Sequence, residues 1–211
     1  RVLGPAPSCS AALELLWRER PDFAFVDTHL GSETCEAVLE ECDQQDVPVI
    51  TDKLSFPADH PMLEHFKFVA ANTKVTPKIS IPGPSAIHFR IADDDIAVSE
   101  YKHDAEAYFE AITATYKDAV KAFYDAGCRY LQMDDIFFAY LCDPKIRAER
   151  KAKGEDPDWL IGRYAKMMHD AIVDRPEDML IGMHMCRGNF KSTWVAEGAY
   201  DPAADAIFNQ T

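Results

Sequence analysis

No run of 18 or more apolar residues occurs in the 211-residue chain, so no segment matches the length and polarity of a membrane-spanning helix. The N-terminus has no basic stretch leading into an apolar one, and no export signal is expected. Glycine and proline, at 9 and 13, are too few for fibrous or low-complexity classes. The six cysteines (Cys9, Cys35, Cys42, Cys128, Cys142 and Cys186) form no Cys-x-x-Cys pair, in a chain long enough to fold without disulfide staples. A reducing, cytoplasmic setting is expected, with most thiols acting as small buried apolar groups. Basic residues are also short, 22 against 36 acidic ones. The resulting net charge of −14 repels a phosphate backbone and an anionic membrane surface, so neither nucleic acid nor membrane is expected as a partner.

What is present is a folded composition, 47% hydrophobic and 27% charged. The length fits one large domain or two small ones. Residues 1 to 50 carry 3 basic and 10 acidic side chains, net −7, which is half the charge of the whole chain in a quarter of its length. That asymmetry points to two parts, although acidic helix faces in any enzyme produce the same imbalance; the division expected is 1–52 and 53–211.

In the first part, apolar positions at helical spacing from Ala11 to Leu16 precede the apolar run Asp22 to Asp27. An amphipathic stretch from Glu33 to Gln45 then leads into Val47-Pro48-Val49-Ile50. Strands alternating with helices predict a parallel sheet. From Asp52 to Asn72, Pro57 and Pro61 interrupt the pattern and a junction is expected. Beyond it, strands are predicted over Lys78–Ile81, Arg129–Asp134 and Met179–His184. Helices are predicted over Asp104–Ala126, Asp143–Gly154, Asp158–Val173 and Pro202–Asn209. Asp104 is the expected N-cap of the first of these helices and Gly127 its stop.

Polar, reactive side chains fall at the C-terminal ends of the strands: Asp27, Ser85, Asp134 and His184. In parallel α/β folds that edge is where ligands bind. His184-Met185-Cys186 places an imidazole and a thiol two residues apart, on one side of an extended backbone, where a soft divalent metal would sit. The same pair is compatible with a strand-end His beside a buried Cys. Asp134 and Asp135 could hold a substrate ammonium, bind a metal or work as an acid/base pair, or could cap the following turn. Asp93-Asp94-Asp95 reads as a solvated loop, and His88, His103 and His169 read as structural or surface residues.

Three ordered motifs carry a resemblance: Pro77 to Ser85, Ala126 to Asp135, and His184 to Asn189 followed by Trp194 and Gly198-Ala199-Tyr200-Asp201. With them, residues from about Phe66 to Thr211 resemble the catalytic C-terminal barrel of the cobalamin-independent methionine synthase family. The resemblance implies a (β/α)8 barrel, here partial, and a zinc cofactor. It further implies zinc-dependent methyl transfer from a methylated reduced folate to the thiol of homocysteine or another thiol. It makes His184 and Cys186 two zinc ligands, Asp134 the acid that holds the substrate amino group, and Ser85 part of the cavity lining. The family's other two zinc ligands, a Glu on the next strand and a Cys near its C-terminus, find no match up to Thr211.

Residues 1–50 resemble a receiver domain of two-component response regulators through Pro21 to Gly31, with Asp27 at the phospho-acceptor position and a flavodoxin-like βαβαβ fragment implied. The acidic magnesium ligands and the Lys of that family are missing, which argues against phosphorylation of Asp27. The expected molecule is therefore an α/β protein: a partial barrel preceded by a flavodoxin-like fragment, with a second copy or another chain able to complete the barrel. The alternative is an α/β chimera or fragment without catalytic activity.

Overall fold

The computed structural model describes residues 29–30, 33–34, 50, 53–91, 96, 98, 100–189 and 193–211. The chain divides into two compact units, Arg1–Val49 and Ile50–Thr211. In the first, β1 (His29–Leu30) pairs antiparallel with β2 (Glu33–Thr34). The helix expected from Glu33 therefore does not begin there. The other elements read in residues 1–49, and Asp27, lie outside the described residues.

The second unit is α/β. Strands β3 (Ile79–Pro82), β4 (Tyr130–Asp134) and β5 (Leu180–His184) form a parallel sheet in the order β3-β4-β5. Among the described residues this sheet has three adjacent parallel strands and does not close into a barrel. A separate parallel bridge joins Ile50 to Ile96, both buried.

The connection from β3 to β4 runs through a short helix α2 (Ser85–Arg90) and the long α3 (Ala105–Asp125). The Asp104 side chain accepts from the Ala107 amide at 3.0 Å and caps α3, and Gly127 ends it at φ +96°. Between β4 and β5 come α4 (Phe137–Tyr140), α5 (Pro144–Ala152) and α6 (Pro157–Ile172), and α7 (Asp201–Asn209) follows β5. On α3, Phe109, Ile112, Tyr116, Val120 and Phe123 make a buried stripe at helical spacing; α6 answers with Leu160, Ile161, Tyr164 and Met168. Each large side chain so buried contributes about 1.5–3 kcal/mol.

The region read as an irregular junction contains a helix, α1 (Pro61–Ala71), whose Leu63 and Phe66 are buried. Pro61 stands in its first turn, where a missing N–H costs nothing. Its cap is His60, whose Nδ1 accepts from the Met62 amide at 3.2 Å while the ring stacks on Phe56. A histidine cap is not among the residue types that announce a helix start. Among the described residues no helix is long and apolar enough to cross a membrane.

Candidate functional site

Alternation along β4 sorts the site. Leu131 and Met133 are buried toward the helices, while Gln132 and Asp134 lie on the opposite, open face. In register with them, Ser80 and Pro82 of β3 and His184 of β5 are exposed on that face, as is Leu180, the partner of Tyr130. A relay of hydrogen bonds crosses it: Lys78 Nζ donates to Gln132 Oε1 at 2.6 Å, and Gln132 Nε2 donates to Asp134 Oδ1 at 2.6 Å. Parallel sheets are usually covered on both faces. Here one face presents a polar strip that ends at the C-terminal edge.

At that edge Asp134 is the direct neighbour of His184. The ladder continues past the strands, because the Gly83 amide donates to the Asp134 carbonyl at 2.8 Å and the Asp135 amide to the His184 carbonyl at 2.9 Å. Two of the sequence-derived site residues, Asp134 and His184, are thus side by side. Cys186, two residues on, is half-buried in the loop after β5 and close enough to Tyr140 for its charge to raise that phenol, whose shift is led by burial.

Ser85 lies elsewhere in the same corner. It is fully buried as the first residue of α2, and its hydroxyl donates to Asp135 Oδ1. Asp135 is itself fully buried. Burial pushes its pKa from 3.8 to about 6, against the Ser85 hydroxyl and the Phe137 and Ser85 amides, which favour the anion. One carboxyl group therefore sits inside the core against the first residues of two short helices, α2 and α4. Its Oδ2 has no partner among the described residues, and a Cβ at Gly83 would stand 2.5 Å from that atom. Sequence reasoning paired Asp135 with Asp134 without separating them. Continuing the Leu131, Met133 alternation by one step puts Asp135 on the buried side.

Cysteines 128 and 142 are buried, as expected of small apolar side chains. His88 is structural: its Nδ1 lies 2.8 Å from the Tyr164 hydroxyl, and burial lowers its pKa to about 4. Asp93-Asp94-Asp95 lie outside the described residues.

His184 and Cys186 match zinc in donor type, imidazole and thiolate, but fall short in number. A catalytic zinc takes three protein ligands, and among the described residues no group of three or more His, Cys, Asp or Glu converges.

No protein-family model matches the chain. Two Bacillus subtilis proteins, the uncharacterized YxjG and YxjH, are each 44% identical to it over 161 and 164 residues, in both cases 76% of this chain. The chain spans less than half the length of these relatives, 42% and 41%. Among solved structures it is similar to the "putative vitamin-B12 independent methionine synthase" of Listeria monocytogenes. The identity is 35% and the TM-score 0.59, over 75% of this chain and 44% of that one.

Proposed function

We propose that Ile50–Thr211 carries one part of a methyltransferase site, which moves a methyl group from a methylated reduced folate to the thiol of homocysteine. The observation that carries this reading is the Asp134–His184 pair at the C-terminal sheet edge with Cys186 beyond it. Similarity to the Listeria protein supports it. His184 and Cys186 would hold zinc together with ligands from outside the described residues, from further chain or from a second copy that completes the barrel. Bound zinc supplies a lowered thiol pKa, and so a thiolate at neutral pH.

The chain's own residues do the rest. Asp134 accepts the substrate ammonium, and the Lys78–Gln132 relay fixes its rotamer. Gly83 to Ser85, tied down by Asp135, forms the floor beside it.

Homocysteine binding to the zinc-supplemented protein, measured by calorimetry, tests the assignment. Asp134→Asn should weaken it by about tenfold or more, the value of a hydrogen bond to a charged group, with zinc content unchanged. Equal affinities would remove Asp134 from the site. The shortage of metal ligands favours a second reading, a non-catalytic α/β fragment. Methionine formation from homocysteine and a methylated tetrahydrofolate separates the two.

A further inference from the structure

Beyond β5 the chain doubles back on itself. The Arg187 carbonyl accepts from the amides of Val195 at 3.1 Å and Ala196 at 2.9 Å, which brings Trp194 over the Arg187 guanidinium, 4.7 Å from ring centre to Cζ. The Tyr200 ring packs on the same guanidinium at 5.8 Å.

This geometry is held from several sides. Gly188 sits at φ +73°, where a Cβ would stand 2.5 Å from the Tyr140 hydroxyl and 3.0 Å from Val195. The Glu197 amide donates to Asp143 Oδ2 at 2.6 Å, and Gly198, at φ +109°, is pressed against the Cys142 carbonyl. The result is a cleft of about 450 Å³ lined by Cys186, Arg187, Gly188, Asn189, Trp194 and Tyr200.

Both rings lie against the guanidinium. Its N–H edge, with five donors in a planar fork, has no carboxylate partner among the described residues. Trp194 is 65% exposed, a large apolar surface left to water beside that edge. An apolar wall with one fixed cation, one amide and one thiol is the make-up of a small-molecule site.

We propose that this cleft binds an organic anion, a carboxylate joined to a flat apolar body, with Arg187 on the carboxylate, Trp194 on the body, and Cys186 in the wall beside it. On a chain of net charge −14 the long-range field repels anions, so recognition rests on the local fork. The proposal goes beyond methyl transfer and holds with or without a metal at His184 and Cys186.

Two alkylating agents of nearly one shape, anionic iodoacetate and neutral iodoacetamide, probe the cleft through Cys186 itself. Chelator-washed protein is treated with each, and the rate at Cys186 is followed by peptide mass spectrometry, with N-acetylcysteinamide as the free-thiol reference. The iodoacetate-to-iodoacetamide rate ratio at Cys186 should exceed that of the free thiol by about fivefold, the scale of one partly exposed charge pair. In Arg187→Met the ratio should fall to the free-thiol value with the iodoacetamide rate unchanged. In the unaltered protein benzoate should protect Cys186 from iodoacetamide and benzamide should not, a comparison that needs no variant to fold. A free-thiol ratio in the unaltered protein, an undiminished ratio in Arg187→Met, or equal protection by benzoate and benzamide would overturn the proposal. Failure of zinc to bind leaves all three readouts in place.

Discussion

Asp135 and His88 are buried ionisable groups whose protons pull stability in opposite directions. Asp135 titrates at about 6 in the native state against 3.8 for an ordinary carboxyl, so between those values the native chain holds a proton that the unfolded chain has lost. Its contribution is present at low pH and is lost as pH rises through about 6, an effect of about 3 kcal/mol. His88 is lowered from 6.5 to about 4, so over that interval the unfolded chain holds the extra proton and stability is gained as pH rises, again by about 3 kcal/mol. The two slopes nearly cancel over the interval they share. Urea unfolding across pH 4 to 7 should therefore show little net slope from these groups in the unaltered protein. It should show stability rising with pH in Asp135→Asn and falling with pH in His88→Gln. Parallel pH profiles in all three proteins would contradict the burial assigned to these residues. Asp135 shows how far one residue's role can be read in sequence: strand alternation exposes its burial, but its two helix N-termini become visible only once Gly83 and Phe137 are folded around it.

At the scale of elements, short-range pattern located most of the second unit. Strands β3, β4 and β5 and helices α3, α5, α6 and α7 lie within a few residues of where apolar periodicity and caps put them; α3, α6 and α7 bury an apolar face, whereas α5 buries no residue and is announced by its Asp143 cap alone. Helices α1, α2 and α4 escaped. His60 is an uncommon cap, α2 has Pro84 at its N-cap position and so no side-chain cap, and α4 is only 4 residues long. The segment around Trp194 has no regular structure to announce it and is held by single contacts. Asp143 is the chief of these. Burial raises its pKa, but the Glu197, Ile146 and Lys145 amides outweigh this and the net shift is downward. Asp143→Ala removes the cap of α5 and the acceptor for Glu197 together. It should cost about 1–3 kcal/mol in thermal or urea unfolding, and should raise protease cleavage between residues 189 and 198 ahead of global unfolding. A variant as stable and as resistant as the parent would mean that Asp143 does not hold that segment.

For the molecule as a whole, the informative feature is a parallel sheet with helices on one side and a polar strip on the other. The strip ends in Asp134 and His184, within a chain that matches less than half of each of its longer relatives. That Asp134 and His184 close two strands was legible from the apolar run that each one ends, and the shortage of zinc ligands from the lack of a matching Glu and Cys up to Thr211. That the two strands are neighbours was not, because strand order is a property of the folded sheet. In the proposed methyltransferase site, His184 and Cys186 would form one side of a metal site that admits a substrate thiol. Titration of the chain with Co(II), a spectroscopic stand-in for zinc, tests it through the absorbance of the thiolate-to-cobalt band. The account predicts a band that grows on addition of homocysteine, weakens in His184→Ala and is lost in Cys186→Ser. A folded chain that gives no band, or a band that persists undiminished in Cys186→Ser, would contradict it.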